Sequence, residues 1–187
     1  MPFWTESVTF NTADPKRNYR FKIVSVTNTS QTTDSILGLG SQDGCWWAKK
    51  ASQPTFSVSE TEHNFLQHKY YWPARVTWNE VDITLVDPVD PAIQTSVMSY
   101  FNEAQLFNPS KGKWVTTSKG EAVQSLGNLQ IQQLDDDGSV LNSWVLQHAW
   151  VKEVSFSELD YSNEDLMEIT LKIRYDWAEY LNATGDA

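Results

Sequence analysis

The chain has 187 residues, a formal net charge of −10 and a sequence pI near 4.6, with 40% hydrophobic and 20% charged residues. That length fits one domain, and that composition fills a core rather than leaving a disordered chain. The acidity excludes a protein that grips nucleic-acid phosphate through clustered Lys and Arg, and the single cysteine, Cys45, excludes an internal disulfide framework or a cysteine-based zinc site.

In chain order, the first strand signal is YRFKIVSV, residues 19–26. A polar, glycine-rich stretch follows at 28–44, with a small apolar centre at Ile36-Leu37. Next comes WWAKKASQPTFSVSE, residues 46–60, where two tryptophans stand beside Lys49 and Lys50. Aromatics beside cations serve either a ligand-stacking site or a seam between folded units. Within it, PTFSVSE alternates as a strand does, with Phe56, Val58 and Glu60 on one face. EVDITLVD groups Val81, Ile83 and Leu85 in the same way.

Asp90-Pro91 pairs an N-cap acceptor with proline at a first helical position. Ile93, Val97, Tyr100, Phe101, Ala104 and Phe107 then recur at helical spacing until Asn108-Pro109. The stretch over 108–125 is polar, carries Lys111, Lys113 and Lys119, and reads as a long loop. NLQIQQLDDDGSVLNSWVLQHAWV reads as a hairpin around Asp137-Gly138. VKEVSFSEL is another extended stretch.

The clearest pattern is MEITLKIRYDW, residues 167–177. Met167, Ile169, Leu171, Ile173, Tyr175 and Trp177 alternate with Glu168, Thr170, Lys172, Arg174 and Asp176. It predicts one long half-buried strand with a wet second face.

Charge is unevenly placed: residues 1–80 sum to +1 and residues 81–187 to −11. No spacing selects a catalytic triad, a phosphate loop or a metal motif, so neither enzymatic activity nor a cofactor is expected. The acids at 135–137 are consecutive at a hairpin tip, unlike the alternating ligands of a calcium loop. No apolar run is long enough to span a membrane, and the N-terminus lacks a secretory signal pattern. Nine tryptophans fit either a sugar-stacking surface on a β-sandwich or packing anchors in the core and between subunits. The long strands favour packing.

Three blocks resemble the tail tube proteins of contractile-tailed bacteriophages, whose fold is shared by tubes of related injection systems. They are RNYRFKIVSV at 17–26, the stretch from Trp46 to Pro88, and ELDYSNEDLMEITLKIRYDWAEY at 158–180. They cover about half of the chain in the family's order. The resemblance implies a mainly β fold, an antiparallel sandwich or partial barrel with one flanking helix. It implies a single domain over 1–187, with an N-terminal arm (about 1–17), an inserted loop (about 28–44) and a long loop (about 108–125).

Six copies are then expected to close a β-barrel ring, and rings to stack into a hollow conduit for genome delivery. Expected partners are further copies of itself, a contractile sheath, baseplate and tail terminator proteins, and a tape measure protein in the lumen. DNA would pass through without specific binding. The expected place is the virion tail, assembled in the host cytoplasm.

On this reading Glu168, Thr170, Lys172, Arg174 and Asp176 face the lumen. Trp46, Trp47, Lys49, Lys50, Ile36 and Leu37 lie at subunit interfaces. A ring of six carries a formal charge of roughly −60, which predicts a bore that repels DNA phosphate.

Overall fold

The computed structural model describes residues 15–26, 47–90, 92–103, 118–162 and 164–182. Among these residues, ten strands and two helices run in the order β1 (Phe21–Val26), β2 (Ala48–Ala51), β3 (Phe56–Phe65), β4 (His68–Trp78), β5 (Val81–Val86), α1 (Ile93–Glu103), α2 (Lys119–Leu126), β6 (Asn128–Leu134), β7 (Val140–Gln147), β8 (Trp150–Phe156), β9 (Glu168–Arg174) and β10 (Trp177–Asn182). They build two four-stranded sheets, ordered β1-β6-β7-β10 and β2-β5-β9-β8, and a separate two-stranded ladder, β3-β4. All pairings are antiparallel. This is the mainly β architecture the sequence pattern predicts.

The core lies where the two larger sheets meet. Ile23, Leu129, Ile131 and Leu146 come from the first sheet, and Val81, Ile83, Leu85, Ile169, Leu171 and Ile173 from the second. Strict alternation places them there, since every second side chain of β5 and β9 points inward. Burying each such aliphatic side chain stabilises the fold by about 1.5–3 kcal/mol.

Helix α1 buries Ile93, Val97 and Tyr100, as the spacing predicts, and Phe101 packs beside them. Ala104 and Phe107 lie outside the described residues. Asp87, rather than Asp90, supplies the acceptor near the helix start, its Oδ1 taking the Gln94 N–H at 3.1 Å. Tyr100 clamps three elements: its hydroxyl donates to Ala122 O (3.3 Å) in α2 and accepts the Val151 N–H (3.2 Å) in β8.

Helix α2 occupies the end of the stretch read as a loop. Ser118 caps it by accepting the Glu121 N–H, and Gly127, at φ 73°, returns its N–H to Val123 O. Ala122 and Leu126 are its buried residues.

The run 167–177 is not one strand. β9 ends at Arg174, the chain bends at Tyr175-Asp176, and β10 pairs with β7 in the other sheet. The Asp176 N–H bonds Gln147 O at 3.1 Å and fixes the crossing. Met167 to Tyr175 keeps its alternation, but Trp177 is outside the core.

Candidate functional site

Three surfaces concentrate the residues singled out in the sequence: the polar face of β9, the free edge at β2, and the β3-β4 arm.

On β9, Glu168, Thr170, Lys172 and Arg174 do share one half-buried face. Each is engaged across the sheet. Glu168 pairs with Lys49 of β2, and Thr170 Oγ1 lies 3.4 Å from Thr84 Oγ1 of β5. Lys172 reaches Glu153 of β8 at 2.9 Å, and Arg174 stands 3.8 Å from Glu80, which also takes Lys152 at 2.5 Å. The hydrogen bond that Lys49 donates to Glu168 raises the lysine's pKa, the one Lys172 donates to Glu153 does the same, and the one Glu80 accepts from Lys152 lowers the carboxylate's. Lys49, Lys152, Lys172 and Arg174 thus stand against Glu80, Asp82, Glu153 and Glu168, with Lys50 opposite Thr84 at the sheet's edge. The excess acid lies elsewhere, at the 135–137 turn and in the β8-β9 loop.

Asp176 has left that row. In the bend it accepts Lys119 Nζ of α2 on both oxygens (2.7 and 2.6 Å) and meets His148 Nδ1 at 3.0 Å. The Lys119 hydrogen bond is the main cause that holds its carboxyl below the usual range. His148 has φ 55°, a left-handed backbone uncommon outside glycine, and its ring meets Trp177 edge-on at 4.9 Å. Both sheet-to-sheet crossings, β7 to β8 and β9 to β10, are therefore latched at one corner.

At the seam, Trp47 packs against the core, Lys49 is tied to Glu168, and Lys50 is exposed. Trp46, Ile36 and Leu37 lie outside the described residues. A cleft of about 800 Å³ opens between the start of β1 and β2, lined by Tyr19, Phe21, Lys50, Gln132 and Trp144. Trp78 and Trp144 also pack against the core. Trp47, Trp78 and Trp144 thus serve packing.

The largest feature the sequence reading missed is the arm. β3 and β4 pair with each other over ten and eleven residues and with neither larger sheet. At about 3.4 Å per residue such strands extend some 35 Å. Every residue of β3 is exposed, as is every residue of β4 but Trp78. Phe65, Leu66, Tyr70, Tyr71, Trp72 and Val76 all present apolar surface to solvent, Trp72 at 61%. The tip turns at Leu66-Gln67, Leu66 having φ 56°, without the Asn-Gly or Asp-Gly that announces a hairpin. A register shift lies between Val58 and Glu60. There Ser59 Oγ accepts the Arg75 N–H (3.0 Å) and lies 3.2 Å from Arg75 O.

No family model and no curated protein matches the chain. Solved structures do. A chain of the anti-feeding prophage tube-terminating cap aligns with TM-score 0.62 and 11% identity, over 94% of this chain and 99% of that one. A chain of the sheath/tube terminator of the extracellular contractile injection system PVC, in its extended state, gives 0.63 and 11%, over 90% and 98%. A chain of the anti-feeding prophage baseplate gives 0.60 and 13%, over 91% and 98%. The chain thus has, over nearly its whole length, the fold found in the tube, cap and baseplate structures of contractile injection systems, the fold that the tail-tube resemblance implies.

Proposed function

We propose that this chain is the structural subunit of a tube in a contractile device. Copies close into rings of six, and the rings stack into a hollow conduit inside a contractile sheath. The observation that carries the reading is the arm. A monomer rarely leaves a long two-stranded ladder with both edges unpaired and aromatics exposed on its faces, because a lone hairpin is marginal in water and an open edge invites another chain. Neighbouring copies supply the missing partners. The β9 face, whose cations are paired with carboxylates, then lines the bore, where it presents no open cationic track to a passing polyanion. A phage tail and a non-virion injection device both fit. Capsid, portal and terminase genes beside this one favour the tail, and DNA and a tape measure protein are then the contents of the bore.

Negative-stain microscopy of the concentrated protein tests the reading. Uniform rings or hollow tubes are expected. A monodisperse monomer at every concentration overturns it.

A further inference from the structure

Two features remain unused by this reading, and they sit at opposite ends of one hairpin. At one end of β8-β9 is the connecting loop. Leu159 is 82% exposed, Tyr161 is fully exposed, and Leu166 is largely so. Glu158, Asp160 and Glu164 stand among them, and no cation does. Within the loop, Asp160 Oδ1 accepts the Ser162 N–H (2.9 Å) and hydroxyl (2.8 Å). Ser157 and Glu168 close its base through the Ser157 N–H to Glu168 O (3.0 Å) and the Glu168 N–H to Ser157 Oγ (3.1 Å).

At the other end is a cavity of about 590 Å³, a size that encloses a drug-sized ligand. Val76, Trp78, Trp150, Tyr175, Lys119 and Arg174 are among its walls. Tyr175 is only 3% exposed, yet its hydroxyl has no hydrogen-bond partner among the described residues. That hydroxyl is itself shut off from solvent, so the groups open to an incoming partner are the others. The cavity offers two indoles, an ammonium and a guanidinium, whereas its carboxylate, Asp176, is already held by Lys119 and His148. It is rich in donors and apolar surface and poor in free acceptors. Its complement is an acceptor carried on an apolar body, which is the chemistry of the loop.

We propose that the β8-β9 loop of one copy inserts Leu159 and Tyr161 into the Trp78–Trp150–Tyr175 cavity of the next. Plug and socket are different surfaces, separated by a seven-residue hairpin, so the contact is head-to-tail. Repeated without reciprocity, such a contact closes a ring or propagates a stack. The cleft at β1 and β2 is a poorer socket because lysines and amides make up much of its wall. The proposal rests on the reading that copies assemble, and it names where they touch.

The test uses full-length protein with Cys45→Ser. One preparation carries Tyr161→Cys, a second Thr77→Cys at the cavity rim, and a third Lys50→Cys at the other cleft. Mild oxidation of the first two mixed should give a disulfide-linked pair that neither gives alone. Leu159→Ser with Tyr161→Ser, at exposed positions that leave the melting midpoint unchanged, should raise the concentration needed for assembly at least tenfold. Rings or tubes without the Tyr161–Thr77 cross-link, or with a Tyr161–Lys50 cross-link in its place, overturn this contact while the tube reading stands. Monomers at every concentration overturn both.

Discussion

Strands β9 and β4 are both long extended runs rich in large side chains, and they have opposite fates. β9 has a partner on each side and hides Ile169, Leu171 and Ile173 completely. β4 has one partner and hides almost nothing. The difference lies in patterning. β9 alternates apolar with polar, so one face has somewhere to go. HKYYWPARVTW sets aromatics side by side, so both faces are amphipathic and neither specifies a core. Sequence pattern of the first kind encodes folding, and on the proposed function the second kind encodes association.

Breaking the body should therefore cost stability, and breaking the arm should cost assembly. The largest effect is expected for Leu171→Ala, a fully buried side chain between two partner strands, which should lose about 2–5 kcal/mol in denaturant melts. Next is Tyr100→Phe. It removes both hydrogen bonds of the buried hydroxyl, leaving the Val151 N–H without its side-chain acceptor, and should lose about 1–3 kcal/mol by the same assay.

Asp176 comes third. Its pKa is depressed in the folded state, so its contribution is present above the ordinary carboxylate range and fades as pH falls through the folded value. Asp176→Asn should lower the thermal midpoint at pH 7 by on the order of 1–3 °C, given its partial exposure. The gap to the parent should close in strong acid.

Smallest in stability is the arm. Phe65→Ser with Trp72→Ser should move the unfolding free energy by less than about 0.5 kcal/mol, yet abolish tubes in the microscope. Lys50→Glu belongs with it: no fold change, and a salt-dependent weakening of stacking read by sedimentation. Lys49 is a poorer probe because its reversal also opposes Glu168 within the same copy.

Much of the body was legible because alternation and turn chemistry agree there. The β6-β7 hairpin follows from Asp137-Gly138, Gly138 having φ 85°. The start of α1's apolar stripe follows from its spacing. Helix α2 was legible in principle, since Ser118-Lys-Gly-Glu121 is a capping-box pattern, but the lysines and polar neighbours masked it. The bend at Tyr175-Asp176 was not, because alternation runs straight through it. Only the pairing with Gln147 and the Lys119–Asp176–His148 cluster stop the strand, and these are contacts between distant parts of the chain. The same holds for the candidate bore. Four of the five residues share a face as the period requires, but their neutralisation by Lys49, Glu80 and Glu153 is a property of the assembled sheet. The arm's tip went unread because Leu66-Gln67 is not a dipeptide that announces a turn.

The irregularity in the arm bears on when its edges are used. A flat, regular ladder would template any passing strand, including that of a half-folded copy on the ribosome. Here the register breaks between Val58 and Glu60, Pro73 withholds a donor, and Glu60, Glu62, Lys69 and Arg75 punctuate the edges. Such an arm discriminates by shape before it discriminates by affinity. On the proposed assembly, a partner would need a matching break and matching charges, so unfinished chains would be passed over and polymerisation would wait for a correctly formed end.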